Sequence, residues 1–88
     1  MFKTYIIYSS SKDRYYTGST SVGVELRLTR HNEGWTRSTK SGIPWKVKYV
    51  KSFDSNIEAL NFERFIKKQK NKGFIEKLII SQENEMLR

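Results

Sequence analysis

The sequence contains no cysteine, which excludes disulfides and thiolate zinc sites as the means of holding a short chain together. Histidine occurs once, so there is no histidine cluster for a transition metal either. With five glycines and one proline, and 36% apolar and 14% aromatic residues, the composition is that of a folded chain rather than a disordered tail. No apolar run approaches the roughly 20 residues that span a bilayer. Near the N-terminus Tyr5, Ile6, Ile7 and Tyr8 are apolar, but Ser9, Ser10 and Ser11 follow at once. That run is too short for a secretory signal and reads as a strand. Residence in the cytoplasm, its nucleoid included, is the expectation left by elimination.

Acidic side chains are also scarce. Nine Asp and Glu stand against 17 Lys and Arg, a net charge of +8, and so small a body with that charge attracts polyanions. Nucleic acid is the partner this implies, DNA before RNA. A membrane is not, because the basic residues do not lie opposite an apolar face on one helix. At 88 residues the chain has room for one hydrophobic core, so residues 1–88 are read as one domain. Within it the polar stretch 81–88 is expected to be a frayed tail.

Phe2 to Ser9 is apolar, β-branched or aromatic at most positions and reads as a strand; Lys12-Asp13-Arg14 is a polar turn, and Tyr15 to Ser19 is the returning strand. Gly18 sits where a missing Cβ lets another group come close. From Val24 the period changes to that of a helix of about three turns, with Ser21 as its expected cap and Gly34 as its terminator. Trp35 to Pro44 is polar and reads as a loop. Trp45, Val47 and Tyr49 alternate with Lys46, Lys48 and Val50, which predicts a third strand with the first three on one face. Ser55-Asn56-Ile57-Glu58 is a capping box opening a helix that runs to about Lys70. Phe74, Leu78 and Ile79 predict a short last helix. The order is strand, strand, helix, strand, helix, helix, an α+β arrangement in which a small sheet is covered by helices.

Four groups of residues can carry chemistry. Tyr5 and Tyr16 lie one on each strand of the hairpin. Arg27 and His31 are four residues apart, hence on one helix face. Glu63, set between Phe62 and Phe65, is a carboxylate beside an apolar stripe and needs a partner, either a salt bridge or a metal. The cluster Arg64, Lys67, Lys68, Lys70, Lys72 and Lys77 is suited to phosphate, with Arg30, Arg37 and Lys40 adding to it.

Taken together these residues resemble the GIY-YIG nuclease domain family, in the small single-domain branch similar to the N-terminal incision module of the UvrC DNA repair enzyme. The resemblance rests on Lys3-Thr4-Tyr5 and Tyr16-Thr17-Gly18 for the two halves of the name motif. It extends through Arg27-Leu28-Thr29-Arg30-His31-Asn32 and Gly34 to Glu58-Ala59-Leu60-Asn61-Phe62-Glu63 with Ile66-Lys67-Lys68. It covers roughly residues 2–80. Lys3-Thr4 stands where the family has Gly-Ile, and Phe74 and Ile75 stand where many members have an asparagine beyond the glutamate. The resemblance implies a three-stranded antiparallel sheet flanked by helices. It also implies a metal-dependent endonuclease whose catalytic residues are Tyr5, Tyr16, Arg27, His31 and Glu63, with one weakly held Mg²⁺ or Mn²⁺ on Glu63.

The expected chemistry follows from the residue types. Arg27 can grip two phosphate oxygens, and a hard cation on a carboxylate can stabilise the leaving oxygen. A free tyrosine, with a pKa near ~10, is a poor base at neutral pH. Tyr5 can act if it passes a proton to His31, His31 can itself be the base, and Tyr16 can orient either. The competing expectation is a non-catalytic nucleic-acid-binding module that uses the same basic face.

Overall fold

The central strand of the sheet is β1, Phe2–Ser9, which pairs antiparallel with β2, Arg14–Thr20, on one side and with β3, Trp45–Phe53, on the other. These assignments come from a computed structural model that describes residues 1–87. Three helices complete the chain in the expected order: α1, Val24–Asn32; α2, Asn56–Gln69; and α3, Lys72–Ile79. Because β1 is covered on both faces, Thr4, Tyr5, Ile6 and Ile7 are all buried in succession. Tyr5 and Ile7 face Val24 and Leu28 of α1, together with Trp45 and Val50. Ile6 faces Ile66 and Phe62 of α2, Phe74 of α3, and Tyr49. The protein therefore has two small cores back to back, with the sheet between them.

That arrangement corrects the expected pattern of β3. Tyr5 pairs with Val50 and Ile6 with Tyr49, but Ile7 pairs with Val47, skipping Lys48. One extra residue in β3 at this bulge reverses the inward–outward alternation beyond it. Trp45 and Val47 accordingly join the α1 core, whereas Tyr49 joins the α2 core and Val50 changes sides. A strict period of two cannot reveal such an insertion.

The ends of the helices are set locally. The Ser55 hydroxyl oxygen accepts from the Glu58 backbone N–H at 3.2 Å and bonds the Glu58 carboxylate at 3.1 Å, closing the first turn of α2. Two hydroxyls from the sheet, Thr4 at 2.7 Å and Ser19 at 3.1 Å, donate to the Ala59 carbonyl and tie α2 to β1 and β2. Thr4 thus fits at a buried position because its one hydrogen has an acceptor there. The N-cap of α1 is Gly23, without a side-chain cap bond, and not Ser21. At its other end Gly34, with φ of 84°, closes a Schellman motif in which Trp35 N–H reaches the Arg30 carbonyl and Gly34 N–H that of His31. The stretch read as a loop after it contains a 3₁₀ turn, Arg37–Gly42. Asn32 holds this segment by accepting from Trp45 N–H at 2.6 Å and donating to the Trp45 carbonyl at 3.1 Å. Asn71 caps α3 by accepting from Phe74 N–H at 3.2 Å.

The described part of the expected frayed tail, residues 81–87, folds back on β3 instead, while residue 88 lies outside the described residues. Asn84 is fully buried. Its oxygen accepts from Val50 N–H at 3.2 Å and Met86 N–H at 3.0 Å, and its amide donates to the carbonyls of Lys48 at 2.9 Å and Ile79 at 2.7 Å. Glu85 accepts from the Ser52 hydroxyl at 2.8 Å. These bonds occupy the outward polar groups of an edge strand, which otherwise invite pairing with another chain. Replacing Asn84 with Ala leaves several buried groups unpaired, and the expected loss is about 2–3 kcal/mol. Urea unfolding checks this; a midpoint unchanged from wild type would show that the tail does not contribute to the fold.

Candidate nucleic-acid processing site

Tyr5 lies opposite Gly18 in the β1–β2 ladder, and its ring lies against that glycine. A Cβ placed on Gly18 would meet the Tyr5 hydroxyl oxygen at 2.6 Å and the ring carbon bearing it at 2.7 Å. The absent side chain therefore lets the ring of a central-strand residue lie against the neighbouring strand. There the Tyr5 hydroxyl bonds His31 Nε2 at 2.8 Å. His31, on the last turn of α1, is almost fully buried, and its Nδ1 lies 2.8 Å from the hydroxyl of Thr39 in the 3₁₀ turn.

Tyr16 closes around the same imidazole. The ring centroids of Tyr16 and His31 are 5.3 Å apart in an edge arrangement, and those of Tyr5 and His31 are 5.9 Å apart. The Lys67 ammonium from α2 sits 5.2 Å from the centre of the Tyr16 ring and makes a 2.7 Å ion pair with Glu63. Glu63 is held at the rim of the core, its side chain 16% exposed. Arg27 comes one turn before His31 on α1; its Nε is buried and has no hydrogen-bond partner among the described residues. Tyr5, Tyr16, Arg27, His31, Glu63 and Lys67 thus form one neighbourhood, drawn from both strands of the hairpin and from helices on opposite faces of the sheet.

The electrostatics of this neighbourhood favour uncharged forms at its centre. Burial pushes the Tyr5 phenol above its ordinary pKa, against the adjacent Arg27 guanidinium, while Tyr16 and Glu63 add smaller upward pushes. Burial first, and then the charge of Arg27, push the His31 imidazole below its ordinary value. At neutral pH Tyr5 is therefore a phenol and His31 a free base.

The other basic residues are distributed around this centre rather than gathered in it. The Arg30 guanidinium stacks 4.9 Å from the ring centre of the exposed Trp35, which is the side-chain contact that accompanies the Schellman motif. Arg37 and Lys40 are exposed on the 3₁₀ turn, and Arg64 and Lys68 are exposed on α2. Lys70, also exposed, ends α2 in the left-handed region with φ of 49°. Lys72 is paired with Asp13 of the hairpin turn at 2.7 Å. The contact that sequence reasoning missed is Thr39. It is eight residues from His31 in a polar stretch, and nothing in that spacing distinguishes it from its neighbours.

The GIY-YIG catalytic domain family matches residues 1–85, and the chain belongs to it. This family is associated with nuclease activity and with nucleic-acid substrates. The chain is also similar to the UPF0213 protein VNG_2274C of Halobacterium salinarum, 37% identical over 68 residues that cover 76% of this chain and 86% of that protein. No solved structure matches it at a significant level. No helix among the described residues is long and apolar enough to cross a membrane.

Two outcomes follow from this geometry. Gly18→Ala forces the Tyr5 ring out of its place, with an expected loss of about 1–3 kcal/mol and a loosened Tyr5–His31 contact; thermal unfolding and the chemical shift of the His31 ring report both. The second concerns pH. The folded protein binds the His31 proton less readily than the unfolded chain, so this contribution to stability is complete above the ordinary histidine value of 6.5. It is lost as pH falls from there towards the folded pKa, because the unfolded state takes up the proton first. Urea unfolding between pH 7.5 and 5 is expected to show this slope in wild type and to show it reduced in His31→Gln. Equal slopes would remove His31 as its source.

Proposed function

We propose that the protein is an endonuclease that hydrolyses a phosphodiester bond in DNA. The observation that carries this reading is the buried Tyr5–His31 hydrogen bond beside Arg27, whose Nε lacks an acceptor. Hydrolysis places additional negative charge on the phosphoryl oxygens, and a guanidinium is the complement that charge requires. Tyr5 stays protonated because burial opposes its ionisation, so it cannot wait as a phenolate. It accepts a proton from the attacking water only as it passes its own to His31, which burial keeps neutral and able to receive it. Tyr16 holds the imidazole edge-on and fixes its direction.

Glu63 is the residue that fits a divalent ion. Among the described residues there is no group of three or more carboxylate, histidine or cysteine side chains, so the protein supplies one hard oxygen ligand, with water and substrate phosphate completing the shell. The Lys67 ammonium, 2.7 Å from the Glu63 carboxylate, already takes the position of a cation there. When bound, Mg²⁺ or Mn²⁺ would supply charge stabilisation to the leaving oxygen. Lys67, Lys68 and Arg64 on α2, with Arg30, Arg37, Lys40, Lys70 and Lys72, provide the positive surface along which a phosphate backbone lies.

The Lys67–Glu63 pair also favours a second reading, in which Glu63 is only a structural partner and the protein binds nucleic acid without cutting it. Nicking of supercoiled plasmid with Mg²⁺ or Mn²⁺ separates the two. Wild type is expected to nick, and Glu63→Gln to nick ~10²-fold more slowly or less, the scale seen when one electrostatic partner of a transition state is removed. Its thermal stability should stay close to wild type, since a partly exposed ion pair contributes little. Equal cleavage by the two proteins would remove the metal role from Glu63. Salt-dependent binding with no cleavage by wild type would establish the binding module.

A further inference from the structure

His31 is bonded at both ring nitrogens, and the two bonds are not equivalent. A neutral imidazole carries one hydrogen, so one nitrogen donates and the other accepts. Which is which follows from the hydrogen count on Thr39. Its hydroxyl has a single hydrogen, and this is donated to the Thr36 carbonyl at 3.2 Å. Towards His31 Nδ1, 2.8 Å away, the hydroxyl then has only a lone pair to offer. With that hydrogen so placed Nδ1 donates, and Nε2 is left bare to accept from the Tyr5 hydroxyl at 2.8 Å.

Thr39 is held where it can enforce this. It is fully buried, and its backbone N–H reaches the same Thr36 carbonyl at 3.1 Å, closing the turn on one acceptor. Its own carbonyl accepts from the Trp45 indole N–H at 2.7 Å. Trp45 is fixed in turn by Asn32, one residue beyond His31. Gly42 completes the clamp, since a Cβ there would lie 2.5 Å from the Trp45 ring. The residue is thereby held at its backbone N–H and its carbonyl while its buried hydroxyl faces His31.

We infer that Thr39 is a positioning residue that holds His31 in the tautomer with its hydrogen on Nδ1, and that this directs the Tyr5 proton onto Nε2. The catalytic meaning of this tautomer rests on the endonuclease reading above; the tautomer itself does not. In the reaction, water gives a proton to the Tyr5 oxygen while Tyr5 gives its own to Nε2, leaving an imidazolium whose Nδ1–H still points at Thr39. The hydroxide so formed makes the new bond to phosphorus as the bond to the leaving oxygen breaks, and solvent protonates that oxygen. With the hydrogen on Nε2 instead, Tyr5 would face a donor and its proton would have no acceptor.

The chain's single histidine makes the test direct, because ¹⁵N NMR of the imidazole reads one ring. In metal-free buffer above pH 7, wild type is expected to show a protonated, pyrrole-type Nδ1 and an unprotonated, pyridine-type Nε2. Thr39→Ser keeps the hydroxyl and should keep this pattern. Thr39→Val removes the hydroxyl at nearly constant shape and should move hydrogen onto Nε2. In plasmid nicking, kcat of Thr39→Val should fall ~10²-fold, the scale of one lost proton-transfer partner, with KM unchanged and Thr39→Ser restoring the rate. A wild-type spectrum with hydrogen on Nε2 overturns the assignment, as does a folded Thr39→Val protein with the wild-type pattern. If Thr39→Val does not fold, the wild-type spectrum decides alone. A wild type that shows the Nδ1–H pattern yet never cleaves DNA supports the tautomer and overturns the endonuclease reading.

Discussion

Tyr5 occupies the space that a side chain on Gly18 would fill, and the candidate site is assembled around that contact. A tyrosine on a central strand is ordinarily enclosed, with its hydroxyl at the margin of a core. Here the neighbouring strand offers bare backbone at the paired position, so the ring can lie against it and its hydroxyl meets a buried imidazole. The backbone hydrogen bonds of the hairpin fix the pairing, the pairing fixes the ring, and the ring fixes the atom that meets His31. In the endonuclease reading a proton would pass along this bond, which needs sub-ångström reproducibility, and a ladder register supplies it on the Tyr5 side.

The same sheet explains why residues on opposite faces can reach one another. β1 serves two cores, and the bulge opposite Ile6 and Ile7 lets β3 contribute Trp45 and Val47 to one of them and Tyr49 to the other. Each fully buried aliphatic side chain contributes about 1.5–3 kcal/mol, and neither core has many of them. Stability is therefore spread over polar ties as well. Thr4 and Ser19 hold the Ala59 carbonyl, Asn32 holds Trp45, and Asn84 holds β3. With those ties in place α1 brings Arg27 and His31 from one side, while α2 brings Glu63 and Lys67 from the other.

Charge is arranged on two scales. Across the whole chain an excess of +8 draws in a polyanion irrespective of its sequence. At the centre the groups that would move protons are kept uncharged, because burial pushes Tyr5 up and His31 down. Arg27 reinforces the second shift, so its charge helps keep the neighbouring imidazole neutral.

Much of this was legible in the amino-acid order. The strand and helix periods, the Ser55–Glu58 cap, the Gly34 terminator and the order of elements are local patterns, decided by residues within a turn or two of each other. The pairing of Arg27 with His31 is local in the same sense. Other features were decided only in three dimensions. The bulge at Lys48 depends on how β3 matches β1, and the docking of residues 81–87 depends on which edge groups of β3 are left unpaired. Thr39 is beneath His31 because Asn32 and Trp45 fold the intervening segment there, and Lys67 reaches Tyr16 because α2 packs along β2. Periodicity records which face of an element is apolar. It does not record which buried donor lacks an acceptor, since that is settled only when distant segments of the chain close on each other.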